Sequence, residues 1–202
     1  MDLDMNELDQ SQRYKVLTAL VIPRPIAWVS SENPDGSCNV APYSFFNVLG
    51  NRPPVIGFGP GSRPEGGAKD TQVNLERSGE FVVNLVDRDV AAAMHQSAVA
   101  YPAGVSESEV LGLETAPGHY VAAPRIICSK VQLECKHHST LEVLDNRIVL
   151  GLIVGIHVDD GILDPETLRI NAGTFQAVGR LHGPGWYSEV NDPFDLGRLP
   201  KP

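Results

Sequence analysis

Two long stretches of strand-forming residues constrain the fold of this chain more than any other feature. Residues 126–144 and 147–158 are rich in β-branched and apolar residues, and the turn formers Asp145-Asn146 lie between them. Shorter runs of the same character occur earlier in the chain, at residues 26–30, 38–43, 55–58 and 81–86. Strands at such short spacing bury their apolar faces by pairing with one another. The pattern therefore predicts a mainly β fold, a small barrel with added helices.

Helices are predicted beside these strands. Residues 11–20 have apolar positions at helical spacing, and residues 89–97 are rich in alanine. A third helix is expected to begin at Asp70 or Thr71, either of which can cap it, and to stop at Gly79. These helices are too few and too short to form a core of their own, so we expect them at the periphery of the barrel.

The composition indicates one globular domain spanning residues 1–202. The chain has 202 residues, of which 42% are hydrophobic, enough for a single buried core. The formal net charge is -9 and Lys and Arg form no cluster, which argues against nucleic-acid binding. No stretch approaches the ~20 apolar residues that cross a bilayer. The first ten residues are acidic and polar, unlike a secretory signal, so we expect a cytoplasmic protein that does not bind membranes.

The cysteines and histidines do not predict a disulfide or a metal site. Cys38, Cys128 and Cys135 are odd in number and lack CxxC spacing, so they are expected to be buried thiols. His137 falls on the same face of its strand as Cys135 and His138 on the other, and no second ligand pair is apparent. We therefore predict no metal.

The stretch G-S-R-P-E-G-G-A-K-D-T, residues 61–71, is the strongest candidate for a binding site. It precedes a predicted helix, whose first N–H groups and dipole favour an anion. Its glycines allow the backbone to approach a ligand, while Arg63 and Lys69 supply charge and Ser62 and Thr71 supply hydroxyl groups. A phosphate monoester fits these groups. The alternative is a solvated surface loop before an ordinary helix. The spacing of a nucleotide-binding P-loop is absent.

Two aromatic segments are further candidates. A-P-Y-S-F-F-N, residues 41–47, combines aromatic rings with short polar side chains, as a flat heteroaromatic ligand requires. R-P-I-A-W-V-S, residues 24–30, places an arginine, a tryptophan and a serine on an apolar strand. The alternative for both segments is that their aromatic residues fill the core.

The order of these segments resembles the flavin reductase-like family of FMN-binding split-barrel proteins, and especially its flavoredoxin-like branch. The resemblance extends through E-F-V-V-N-L, R-I-V-L-G-L-I-V-G-I-H-V-D-D and the closing G-R-L-H-G-P-G-W-Y, and so covers nearly the whole chain. It implies a six-stranded Greek-key split β-barrel with peripheral helices. It also implies non-covalent FMN and a homodimer with the flavin near the subunit interface.

The resemblance also assigns cofactor-binding residues. Ser62, Arg63, Lys69, Asp70 and Thr71 match the segment that holds the FMN phosphate, where Asp70 is expected to cap the helix. The segment beside the isoalloxazine ring is matched by Tyr43, Ser44, Phe45, Phe46 and Asn47. The strand that lines the flavin and its ribityl chain is matched by Arg24, Ala27, Trp28, Val29 and Ser30.

The chain departs from the family pattern at one catalytic position. Many short flavin reductases have a Gly-Asp-His segment near the nicotinamide, and here residues 145–147 are Asp-Asn-Arg. His182 is a candidate substitute, with an exposed loop histidine as the alternative. The leading hypothesis is an NADH- or NADPH-dependent oxidoreductase that passes electrons to free flavin, oxygen or a partner such as a redox protein or flavin-dependent monooxygenase. The alternatives are a flavoredoxin-like electron carrier without its own nucleotide turnover and a barrel that has lost flavin and serves as an interaction module.

Overall fold

A computed structural model describes residues 1–63, 66–190 and 193–199 and is mainly β, as predicted. The helices are α1 (Gln10–Leu20), α2 (Asp70–Ser78), α3 (Ala91–Gln96) and α4 (Glu107–Val110). The strands are β1 (Ala27–Glu32), β2 (Cys38–Tyr43), β3 (Phe46–Asn51), β4 (Pro54–Phe58), β5 (Glu80–Asn84), β6 (Thr115–Pro117), β7 (Pro124–Ile126), β8 (Val131–Val143), β9 (Asn146–Val158), β10 (Val178–Arg180) and β11 (Tyr187–Glu189).

The main sheet is a curled antiparallel sheet with the strand order β2-β1-β5-β8-β9-β4-β3. Its two edge strands are consecutive in the chain, since β2 ends at Tyr43 and β3 begins at Phe46. Only Ser44 and Phe45 connect the two edges, so the sheet must curl until its opposite edges almost meet. The edges do not pair with each other within the described sheet, which leaves the barrel split between them.

The sheet has seven strands where six were expected, because residues 46–51 form a strand that the sequence pattern did not indicate. Five of the six residues of β3 are exposed, so the strand has no alternation of apolar and polar positions. Its pairing with β4 also shifts register between Val48 and Gly50. An edge strand that is exposed along most of its length and contains a bulge shows little alternation of apolar and polar residues in its sequence.

The core lies on both faces of β1. Ala27 and Val29 pack inside the barrel with Phe58 and Phe81, whose rings lie 5.8 Å apart. Trp28 points to the opposite face and packs there with residues that include Met94 of α3. Both faces of β1 are therefore buried, which explains why its sequence is a continuous apolar run instead of an alternating one.

The N-cap of helix α2 lies one residue before the earlier of its two predicted caps. Lys69 occupies the N-cap position without a side-chain cap hydrogen bond, and Asp70 lies in the first turn. The expectation that Asp70 or Thr71 caps the helix is therefore wrong, because Asp70 pairs with Arg63 instead and Thr71 turns into the core. Gly79 ends the helix as predicted, with a φ of 74° that favours glycine.

The segment 101–124 contains α4 and β6 and is held to the barrel by Glu134. This fully buried carboxylate of β8 accepts hydrogen bonds from the backbone N–H groups of His119, Tyr120 and Val121. Desolvation by itself would raise the pKa of Glu134, but the three backbone N–H donors outweigh it and lower the pKa. The carboxylate thus fixes the path of the loop.

We expect Glu134→Gln to reduce the free energy of unfolding by about 2–4 kcal/mol, because an amide group cannot accept from three converging N–H groups. Urea titration at pH 7 measures this loss. The lowered pKa means that this contribution is complete above the unfolded-state value of about 4.3 and disappears as pH falls towards the folded-state value. The difference between the two proteins should therefore shrink in acid.

Glu80→Gln is the matched control, because Glu80 accepts a single N–H from Ala122 in the same loop. A loss for Glu134→Gln no larger than for this control would contradict the anchoring role of Glu134.

Candidate functional site

The loop 61–71 forms one wall of a cavity of about 320 Å³, here called cavity A. The opposite walls are strand β2 and the segment 97–101 that follows α3. The lining residues are Asn39, Ala41, Pro42, Tyr43, Ser62, Arg63, Lys69, Asp70, Thr71, Ser97, Ala98, Val99, Ala100, Tyr101 and Glu107. The structure therefore brings all five residues of the predicted phosphate segment to one cavity.

The loop turns back on itself to present the beginning of α2. Gly61, Gly66 and Gly67 have φ angles of 67°, 92° and 89°, a region that side chains disfavour. Ser62 and Ala68 form a β-bridge across the loop. The N–H groups of the first turn of α2 have no partner within the helix, so this turn favours an anion.

Two basic side chains lie at this helix terminus, and they differ in whether a carboxylate pairs with their charge. Arg63 donates to the carboxylate of Asp70 at 2.5 Å and to the carbonyl of Ala68, so its charge is largely matched. The ammonium of Lys69 lies 5.4 Å from the ring centroid of Tyr43 and forms no salt bridge with any carboxylate of the described residues. Burial lowers the pKa of Lys69, and the nearby charge of Arg63 lowers it further. An anion in cavity A would counteract both effects, because a nearby negative charge stabilises the charged ammonium.

Thr71 fixes the wall of cavity A instead of facing a ligand with an open hydroxyl group. Its side chain is 1% exposed, and its hydroxyl oxygen accepts from Asn39 Nδ2 and from the hydroxyl of Tyr43, both at 2.9 Å. These bonds join α2 to strand β2. Burial raises the pKa of Tyr43, so its hydroxyl group keeps its proton and its place in the bond.

The aromatic segment 41–47 contributes to a second cavity, here called cavity B, of about 530 Å³. Its residues come from β3, the end of β4 and the β8–β9 hairpin. They are Phe45, Phe46, Asn47, Leu49, Gly57, Phe58, Gly59, Val143, Asn146, Arg147 and Ile148. The segment 41–47 thus contributes to both cavities, with Tyr43 at cavity A and Phe45 to Asn47 at cavity B.

Arg24, which the resemblance assigns to the flavin, does not line cavity A or cavity B. It is 5% exposed, and its guanidinium donates to the carbonyl oxygens of Thr18 and Val21 at 2.8 Å and of Leu181 at 3.1 Å. Its Nε also lies 3.4 Å from the hydroxyl of Ser44, the predicted flavin neighbour. Burial lowers the pKa of Arg24. The residue joins the end of α1 to the chain near β10 and is structural.

The β1 residues that the resemblance assigns to the flavin do not line cavity A or cavity B. Ala27, Trp28, Val29 and Ser30 are all fully buried, because both faces of this central strand pack against other elements. Trp28 contacts the wall of cavity A indirectly, because its Nε1 donates to Ser97 Oγ at 2.9 Å.

His182, the predicted catalytic residue, lies away from both cavities. It is exposed in the loop between β10 and β11, with its ring 6.1 Å from that of Trp186. The structure therefore supports the alternative of an exposed loop histidine. Asn39, the segment 97–101 and Glu107 also line cavity A, although they were not predicted to do so. They lie outside the candidate segments 24–30, 41–47 and 61–71, so no local motif indicated them.

Other kinds of site are not apparent in the parts of the chain that the structure describes. Within residues 1–63, 66–190 and 193–199, His, Cys, Asp and Glu side chains nowhere gather in a group of three or more that could hold a metal. Over the same ranges, each helix is too short or too polar to cross a membrane.

Comparison with known proteins points to one family. The family described as "Flavin reductase like domain" matches residues 19–179. An uncharacterized protein of Deinococcus radiodurans is 42% identical over 201 residues, 97% of this chain and 88% of that protein. A solved structure of a protein with a split-barrel domain from Shewanella frigidimarina is 23% identical with a TM-score of 0.80, covering 100% of both chains, which confirms the split-barrel fold.

Two solved structures are similar along almost their whole length. The 2-nitrobenzoate 2-nitroreductase of Pseudomonas fluorescens is 34% identical with a TM-score of 0.89, covering 100% of this chain and 99% of that one. Nitrilotriacetate monooxygenase component B of Bacillus cereus is 29% identical with a TM-score of 0.90, covering 97% and 98%.

Proposed function

This chain belongs to the flavin reductase-like domain family, and from that membership we propose that it is an FMN-binding oxidoreductase. The observation that carries the proposal is the position of the two cavities. Cavity A presents a helix N-terminus and Lys69, while cavity B presents aromatic rings, and the short connection Tyr43–Phe46 lies between them. A ligand with a phosphate at one end and a flat ring system at the other matches this arrangement.

In this proposal the phosphate lies in cavity A. The first N–H groups of α2 donate to it, and Lys69 supplies the matching charge. Arg63 and Ser62 complete the set, with Asp70 holding Arg63 in place. Thr71 acts through Tyr43 and Asn39, because its hydroxyl group is buried in that network.

The ring system lies against Phe45 and Phe46, with the amide of Asn47 at its polar edge. Phe45 is 49% exposed, an unusual position for a phenylalanine that a ring stacked in cavity B would explain. Bound FMN supplies hydride acceptance and electron transfer, while the chain's residues bind, orient and shield it.

The electron donor in this proposal is NADH or NADPH, and the acceptor is free flavin, oxygen or a partner protein. Similarity to component B of a monooxygenase favours a flavin-dependent monooxygenase as that partner, and similarity to a nitroreductase favours a nitroaromatic acceptor. The second candidate is a flavoredoxin-like electron carrier. It is favoured because none of the described residues that line the two cavities is a histidine.

We also propose a homodimer formed through an apolar face next to cavity B. This face comprises exposed residues of β3 and of the β8–β9 hairpin, namely Val48, Leu49, Leu141, Val143 and Leu144. Strand β3 is an unpaired sheet edge with apolar side chains, which soluble proteins normally cover. A second copy would cover the edge and enclose the ligand in cavity B.

We expect Lys69→Ala to weaken FMN binding by roughly 10- to 100-fold, because it removes the charge-assisted contact to the phosphate. Binding is measured by quenching of flavin fluorescence. Riboflavin, which lacks the phosphate, should bind both proteins about equally. Lys136→Ala is the matched control, since Lys136 is exposed on β8 outside both cavities. Unchanged FMN affinity in Lys69→Ala would remove the phosphate assignment.

We expect anaerobic NADH or NADPH to bleach the visible absorbance of the FMN-loaded protein within seconds if the leading candidate is right. Stopped-flow absorbance measures the rate, and free FMN, oxygen and 2-nitrobenzoate are then offered as acceptors. Bleaching only by dithionite would favour the electron carrier over the reductase. A protein that takes up no FMN at all would exclude both candidates.

We expect Val48→Glu to convert the dimer into a monomer, because a charge at the edge of β3 cannot be buried against a second copy without a partner. Sedimentation equilibrium measures the mass. Ile170→Glu is the control, since Ile170 has a similar exposure of 56% against 55% but follows the far end of β9. A monomeric wild-type protein, or a dimeric Val48→Glu variant, would contradict this interface.

A further inference from the structure

Glu107 is a buried carboxylate in the wall of cavity A that the proposed function leaves without a role. The residue is 7% exposed and lines the cavity from α4. Its Oε2 accepts the backbone N–H of Val40 at 2.9 Å. The hydroxyl groups of Ser106 and Ser108 donate to the carbonyl of Cys38, so these residues together seal the open edge of β2.

The position of Glu107 is therefore fixed by the fold. Strand β2 is an edge of the main sheet, and an edge strand needs partners for its outward N–H and C=O groups. Residues 106–108 supply one acceptor and two donors to it. The carboxylate cannot swing away from the cavity without releasing Val40, which would leave a buried N–H group unpaired.

Among the described residues that line cavity A, the formal charges balance when both carboxylates are ionised. Arg63 and Lys69 carry positive charge, while Asp70 and Glu107 carry negative charge when ionised. The phenol of Tyr43 and the thiol of Cys38 also face Glu107, and both are neutral because burial raises their pKa values. An incoming phosphate dianion would give the cavity a strong negative excess.

Glu107 is the carboxylate best placed to remove that excess. Asp70 already has a cationic partner, because Arg63 donates to its carboxylate. Glu107 has no salt bridge among the described residues, and its hydrogen bond to Val40 leaves one carboxylate oxygen for a proton. Burial is the main cause that raises the pKa of Glu107, and the charge of Asp70 raises it further. The N–H of Val40 and the charge of Arg63 act in the opposite direction.

We propose that Glu107 takes up a proton from solvent when a phosphate monoester enters cavity A. This rests on the proposed function, in which that monoester is the phosphate of FMN. The added negative charge makes the ionised carboxylate less favourable, and protonation removes the repulsion. The same carboxyl group then has an O–H that can donate towards the ligand. Binding is therefore linked to pH through one residue.

The sign of this linkage separates Glu107 from the phosphate of the ligand. Proton uptake by Glu107 makes affinity increase as pH falls. The second ionisation of the phosphate, near pH ~6, acts in the opposite sense, because the dianion binds better. Lys69 has a lowered pKa, and loss of its proton also weakens phosphate binding as pH rises. Its contribution can be measured separately from that of Glu107 by substituting Lys69 alone.

Glu107→Gln tests the proposal, because the amide oxygen can still accept the N–H of Val40 while the charge is absent. We expect this variant to bind FMN roughly 3- to 10-fold more tightly than wild type at pH 8.5, with the difference closing as pH falls. Calorimetry in two buffers with different ionisation enthalpies should show proton uptake by the wild type that is absent in the variant. Glu109→Gln is the matched control, since Glu109 lies on the same helix but is exposed.

The outcomes separate this inference from the proposed function. If wild type does not bind FMN, the proposed function fails and this inference fails with it. If wild type binds FMN but both proteins take up the same number of protons, only this inference is overturned. Weaker binding by Glu107→Gln at every pH would also overturn it, because the carboxylate would then be an acceptor for a ligand hydroxyl.

A measurement on wild type alone can still overturn the proposal if the variant does not fold. Riboflavin lacks the phosphate, so it should bind without proton uptake. Equal uptake with FMN and riboflavin would overturn the role of the phosphate charge, whereas uptake with FMN alone would support it.

Discussion

The two-residue connection between β2 and β3 is the constraint on which the rest of the structure depends. Tyr43 ends one edge of the sheet and Phe46 begins the other, so the sheet has to curl. The curl creates an interior that Phe58 and Phe81 fill. It also places the segment 41–47 between a cavity built on the α2 terminus and a cavity built on the β8–β9 hairpin. The short connection thus determines both the curl of the sheet and the position of the two cavities.

Buried polar groups give this curled sheet its precision. Thr71, Asn39 and Tyr43 join the helix to strand β2, and Glu134 holds the loop beside β8. Apolar packing alone tolerates small shifts, whereas hydrogen bonds in a low-dielectric interior require defined partners. All buried side-chain nitrogen and oxygen atoms of the described residues have such partners. The cavity walls are therefore held by a network that binding need not create.

Local sequence signals predicted the elements that have strong local causes. The long hairpin, the strand 38–43 and the stop at Gly79 follow from β-branched composition, turn residues and a left-handed glycine, and the structure has all three. The helix cap was misplaced because Arg63, seven residues away in sequence, binds the carboxylate of Asp70. Side-chain pairings of this kind depend on the folded loop and have no periodic signature.

The site was predicted in part for the same reason. The glycines, Lys69 and the following helix are neighbours in sequence, so their meeting at cavity A could be expected. Arg24 and β1 were assigned to the ligand because their segment resembles the flavin-lining strand of the family. Only the three-dimensional packing shows both faces of β1 to be covered. Glu107 comes from more than 35 residues beyond Lys69, and only the closure of α4 onto β2 brings it there.

The burial of β1 on both faces has a consequence for how this chain can vary over evolutionary time. Each residue from Ala27 to Ser31 is packed on its own side, while its neighbours are packed on the other. A substitution on one face of β1 therefore cannot be accommodated by shifting the strand towards the other face. We expect β1 residues to be replaced together with the residues that pack against them. Strand β3, whose side chains mostly face outward, is under no such restraint from its own fold. Any sequence restraint on it would record what it meets outside the subunit.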